Sequence, residues 1–238
     1  MTVNTMPRTT ILTVILTIAL TAMNSTMRLW QLISPALPVG AFHFSQALEQ
    51  AVEARWVIDD DSAEAWLQGV LRHSIATVDL PLLKRVYLAW IDNDIEQVSH
   101  WNAVSRACRE TSELRDEELQ MGKTLTDLAR QMNEPMPEHS LGFTAAFAIL
   151  AANNDIDLRE AMLGYAWAWT ENQVITAVKL VPLGHRAGQV LLRKMSTDLD
   201  AIVSEAMSLA DAEIGVSAPG FVLASSRHET QYTRLYRS

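Results

Sequence analysis

Apolar residues recur at spacings of three and four along most of this chain, and the longest such run organises the rest. Leu158, Met162, Tyr165 and Trp169 fall on one face of a helix. That helix opens after Asp157, whose short carboxylate can accept from the free N–H groups of a first turn. The opposite face is scarcely more polar: Ala161, Ala166, Trp167 and Ala168 fill the gaps, and Val174, Ile175, Ala177 and Val178 continue the run. A helix apolar nearly all round belongs inside a bundle. Within it stand one polar group, Thr170-Glu171-Asn172-Gln173, and one cation, Lys179, just before Pro182. Buried without partners these would cost a few kcal/mol each, so they must pair or face an interface.

The same periodicity predicts further helices over Phe42 to Glu53, from Asp59-Asp60-Asp61 towards Asp79, and onwards from Pro81. Asp61 and Glu64 have the spacing of a capping box, and Asp79 is placed to cap the helix that Pro81 opens. Asp94 to Met132 is largely helical in pattern, and Leu141 to Ala152, Gly184 to Met195 and Asp198 to Ile214 follow. Two stretches break the pattern. Ser34-Pro35-Ala36-Leu37-Pro38-Val39-Gly40 fixes a turn, because proline restricts its own φ and the residue before it. Asn133-Glu134-Pro135-Met136-Pro137 is the stronger breaker, but its flanks are too apolar to stand alone. The expectation is an all-α, single-domain bundle of about eight to ten helices. Its core is the helix over about 158–181, its helical domain spans 27–216, and an extended C-terminal tail covers 217–238. The tail mixes Tyr and Arg without a core-helix period, and those residue types often anchor interfaces.

Charge and composition narrow the function. The net charge of −9 argues against a surface that tracks nucleic-acid phosphates. One cysteine, Cys108, excludes an internal disulfide and a cysteine-based zinc site, and its simplest home is the cytoplasm. Ile11 to Met23 is apolar and Thr-rich but too short for a confident membrane span. It fits the core of a signal peptide, or an extension (residues 1–26) ahead of a natural start at Met27.

No string in the chain carries catalysis. Gly122-Lys123-Thr124 imitates a phosphate loop, yet Glu117 stands at the first glycine position and the preceding residues read as helix. A nucleotide-binding enzyme using that string is the alternative by class. His43, His73, His100, His139, His185 and His228 show no helical metal-ligand spacing. No G-x-S-x-G turn occurs, and Cys108 sits in an acid-flanked helical segment that does not favour a thiolate. No metal and no cofactor is implied. The charged run Arg109 to Glu118 reads, from its residues alone, as a solvated helix face.

Four separated stretches nevertheless carry a resemblance. They are Leu32 to Phe42 with Ser45-Gln46-Ala47-Leu48-Glu49, Ala107 to Arg115, Val178 to Gly184, and Arg227 to Ser238. In that order they resemble the urease accessory protein UreF family, over Met27 to Ser238. The resemblance implies a helical protein without enzymatic activity that dimerises and binds a UreD/UreH-type accessory protein. It further implies recruitment and regulation of the nickel-carrying GTPase UreG for nickel insertion into apo-urease. The residues expected to meet partners are Arg109, Glu110, Glu113 and Arg115 in the charged run and Lys179 at the central helix's exit. In the tail they are Arg227, His228, Glu229, Tyr232, Arg234, Tyr236 and Arg237.

Overall fold

A computed structural model describes residues 23–215 and 218–238. Helix α1 covers residues 23–32, and a 3₁₀ turn at Ala41–His43 precedes α2 (Leu48–Glu53). Helix α3 (Asp60–Val70) passes through a π-helical segment (Leu71–Asp79) into α4 (Leu80–Ile91) without a break. Then come α5 (Ile95–Ala107), α6 (Ser112–Gln131), α7 (Phe143–Asn153), α8 (Leu158–Leu180), α9 (His185–Ser196), α10 (Leu199–Ser208) and α11 (Pro219–His228). Among the described residues there is no strand, and no helix is long and apolar enough to cross a membrane. The all-α expectation holds. The expected signal-like run and early extension fall on residues 1–22, outside the described residues; residues 23–26 already belong to α1.

Helix α8 starts where the pattern places it: Asp157 Oδ1 accepts from the backbone N–H of Arg159 at 2.8 Å and of Glu160 at 3.3 Å. Its polar middle is satisfied in part by backbone, while the buried Gln173 Nε2 has no hydrogen-bond partner among the described residues. Thr170 Oγ1 donates to the Ala166 carbonyl, Thr176 Oγ1 to the Asn172 carbonyl, and Asn172 Nδ2 reaches the Ala41 carbonyl. The helix enclosed on every side is its predecessor. All residues of α7 from Thr144 to Ala151 are buried, between α4, α6 and α8. The reason lies in its composition, FTAAFAILAAN, which offers no charged group to solvent.

The stretch Asp94 to Met132 is largely helical, as its pattern reads, in two helices with a cap each: Asp94 accepts from Gln97 N–H and Thr111 from Leu114 N–H. Three local expectations change. The capping box of α3 is formed by Asp59 and Ser62, not Asp61 and Glu64, because Ser62 Oγ can return a bond to the Asp59 N–H. Asp79 caps nothing; the rod is continuous there and its carboxylate turns inwards. The start of the tail is helical, since Pro219 fits the first turn of α11 and Phe221, Ala224, Ser225 and His228 recur on one buried face. The residues after His228 are irregular.

Candidate functional site

Two charged assemblies meet across α6, and between them they gather most of the motif residues. The first is buried. The wide turns of the π segment end at Asp79, whose Oδ1 accepts from Arg109 Nη2 at 2.7 Å and from the Tyr165 hydroxyl at 2.9 Å. Arg109 spends its other contacts on Asp79 Oδ2 (3.3 Å) and Glu118 Oε2 (2.9 Å). Glu118 Oε1 in turn accepts from Ser105 Oγ and from the backbone N–H of Thr144 at the start of α7. Arg109 is therefore no part of a solvated face: its side chain is only 12% exposed and ties α4, α6, α7 and α8 together. The helix break at 108–111 is what lets it turn in. Burial pulls its basicity down, but the Asp79 and Glu118 carboxylates more than reverse this and hold it well above the ordinary arginine value.

Among the described residues, one buried carboxylate beside this group touches no cation, although the nearby Arg109 charge lowers its pKa. Glu117 Oε1 accepts from Gln46 Nε2 at 2.7 Å and Oε2 from the Ser238 hydroxyl at 2.7 Å, both neutral donors. Burial pushes its pKa up to about 7 against those two hydrogen bonds. Gln46 completes the chain by accepting from Trp169 Nε1 at 2.6 Å. Gln46 and Ala47 adopt left-handed φ values of 48° and 65°, strained for residues with a Cβ. That kink turns the Gln46 side chain towards Glu117 and frees Ser45 and Glu49 for the tail.

The second assembly seats the tail. His228, fully buried, places Nδ1 2.6 Å from Glu113 Oε2 and Nε2 3.3 Å from Glu49 Oε2. Glu49 also accepts the backbone N–H groups of Leu235 (2.7 Å) and Tyr236 (2.9 Å), and Glu113 accepts from Arg234 Nη1 (2.6 Å). Ser45 N–H and Oγ both donate to the Ser238 carbonyl, and the Arg237 N–H donates to the His43 carbonyl. Glu229 accepts from Ser112 N–H and Oγ, which hold its carboxyl below the usual range.

The expected partner residues thus divide. Glu113, His228, Glu229, Arg234, Tyr236 and Arg237 come together on one seam, with Tyr236 buried. Arg115 is exposed and donates back to the Arg109 carbonyl, and Glu110 is exposed beside it. Arg227 lies 5.7 Å from the Trp56 ring centroid. Lys179 is exposed at the end of α8, away from these contacts. Tyr232 is wholly exposed and Leu235 is 79% exposed. Glu49, Asp79, Glu117 and Glu118 were not foreseen as site residues. Glu49 lay inside one of the resembling stretches; Asp79 read as a helix cap, and Glu117 and Glu118 as part of a charged helix face.

Above the buried charges opens a cavity of about 150 Å³. Its walls include Phe143, Phe147, Tyr165, Trp169 and Met121, and its rim is built by Ile33 to Phe42 with Glu171 and Ile175. The turn at its rim depends on Gly40, which sits at φ +80°, where a side chain would be strained. Glycine of the GKT string has a different task. Gly122 lies in the middle of α6, and a Cβ there would collide with the Leu141 carbonyl and Gly142 backbone. Thr124 Oγ1 is bonded to the Gln120 carbonyl, so the string forms no phosphate loop.

A family model described as UreF matches residues 57–196 of the chain. The urease accessory protein UreF of Alkalilimnicola ehrlichii is 46% identical over 216 residues, covering 89% of this chain and 95% of its own. That of Chromohalobacter salexigens is 46% identical, covering 88% and 93%, and that of Alcanivorax borkumensis 45%, covering 89% and 97%. The chain belongs to the UreF family. The matched segment contains the whole buried charge group, Asp79, Arg109, Glu117 and Glu118, and the exit of α8 at Lys179. Membership in this family gives the chain a role in urease maturation.

Proposed function

We propose that this chain is a non-enzymatic scaffold of urease maturation. With a UreD/UreH-type partner it recruits the nickel-carrying GTPase UreG, regulates it, and presents it to apo-urease, acting in the cytoplasm as a homodimer within the complex. Nickel is cargo in this reading, and the chain needs no cofactor of its own. The observation that carries the reading is the tail. Its irregular residues are held to the body by buried carboxylates, yet the Tyr232 and Leu235 side chains stand out into solvent, as anchors for another chain would. Burying two such side chains on a partner removes apolar surface from water at about 25 cal/mol per Å². The docking cost is reduced because the segment is already ordered on its own body. Urease activity measured with and without this chain, with the structural subunits, the other accessory proteins and nickel supplied, tests the proposal. Nickel-dependent activity should require the chain. Equal activity without it would overturn the reading.

A further inference from the structure

The cavity beneath the Ser34-to-Gly40 turn has features that scaffolding does not require. Its walls are aromatic: Phe143, Phe147 and Tyr165 lie with ring centroids 5.2 to 6.1 Å apart, and Trp169 completes the surface. Its floor carries more acid than base. Arg109 is the one cation of the floor, and both Asp79 and Glu118 already claim it. Glu117 lines the same cavity, 5% exposed, with only the neutral donors Gln46 and Ser238 on its oxygens. A buried carboxylate without a counter-ion is costly, and aromatic faces attract cations. Glu171 on the rim adds negative charge at the entrance.

We propose that this cavity binds a small monovalent organic cation, an alkylammonium or guanidinium head on an apolar stem, with Glu117 as its counter-ion. The stem lies against Phe143, Phe147 and Trp169. The head reaches the floor, where Glu117 can exchange a neutral donor for a charged one. The size agrees, since an apolar cavity of about 150 Å³ accommodates a benzene-sized ligand. A hard divalent ion suits the place poorly. It needs six or more oxygens, and those of Asp79 and Glu118 are committed to Arg109, Tyr165, Ser105 and Thr144. The cation is either a free metabolite or a Lys or Arg side chain of a docked protein. The inference does not depend on the maturation role, because the isolated protein should show it.

The test is titration of the full chain with n-butylammonium, followed by the indole N–H signal of Trp169, with butan-1-ol as the neutral probe of equal size. The amine should bind at least roughly tenfold tighter than the alcohol, the scale of one buried charge contact. Its affinity should rise roughly tenfold from pH 6 to 8 as Glu117 ionises around its value of about 7. Glu117→Gln should abolish both the preference and the pH dependence. Nα-acetyl-lysine methylamide separates the sources: tighter binding than butylammonium points to a protein side chain, equal or weaker binding to a free cation, and either supports the site. Absence of binding by both cations at millimolar concentration overturns the proposal. So does an alcohol that binds as well as the amine. If Glu117→Gln fails to fold, the pH profile and the alcohol comparison on the unaltered protein still decide it.

Discussion

The Asp79–Arg109–Glu118 group and the Glu49–His228–Glu113 group share one design, two carboxylates on either side of a nitrogen-bearing side chain, put to opposite ends. In the first, every member comes from the body of the bundle, and the aromatic core closes over it. In the second, both carboxylates belong to the body and the imidazole between them belongs to the chain's last segment. The first therefore fastens helices to one another, while the second fastens a tail to a finished surface. Breaking the first should be felt through the whole fold. Breaking the second should be felt only from α11 onwards.

The largest effect separates the two at once. Arg109→Met strands Asp79 and Glu118 in the interior, and removing one partner of such a group costs about 3–5 kcal/mol. Thermal melting should fall by many degrees as one cooperative transition. A variant that melts like the unaltered protein would show that the buried group contributes no cohesion.

Next comes Glu117, which lies between the two groups. The unfolded chain ionises this carboxyl near 4.5 and the folded chain near about 7, so the folded state holds the extra proton in that window. The stability that Glu117 contributes is fully present at and below pH 4.5 and is lost as pH rises through about 7. The loss is on the order of 3 kcal/mol. Glu117→Gln should remove that slope and melt higher than the unaltered protein at pH 8. Parallel melting curves of the two proteins across pH 4.5 to 8 would contradict the placement of Glu117.

The seam should give smaller and more local losses. His228→Ala removes the ring that Glu49 and Glu113 share, a loss of about 1–3 kcal/mol confined to seating of the tail. Amide exchange should accelerate at Leu235 and Tyr236, whose N–H groups rest on Glu49, and stay slow in α7. Equal acceleration in α7 would erase the distinction between the groups. Arg234→Ala is the weakest probe. Its ion pair with Glu113 is 39% exposed on the arginine side, so its removal should cost about 0.2–1 kcal/mol and less at high salt.

Helices were legible in this chain because their signals are local. The cap at Asp157, the apolar run of α7 and the break around Pro135 each act within a few residues. The two charged groups were not, because their members are far apart in the chain. Asp79 and Glu118 looked like a cap and part of a surface run, and only the packing of both α4 and α6 on α7 makes them partners of Arg109. Glu49 and His228 are separated by 179 positions. The motif resemblance reached these places without explaining them: it marked Ser45 to Glu49, Arg109 and the tail, and the geometry shows why they occur together. Reading the tail as wholly irregular failed for a local reason, since the period of Phe221, Ala224, Ser225 and His228 is short and carries one polar member and one ionisable one.

The central claim is that the exposed side of the tail is what urease-maturation partners meet. It is tested most directly by Tyr232→Ala with Leu235→Ala in one chain, assayed for nickel-dependent urease activation with all partners supplied. Both side chains stand in solvent, so melting should not change. Activation should fall towards the level seen without the chain, and the UreD/UreH-type partner should no longer co-purify. Full activation by this double variant would contradict the claim.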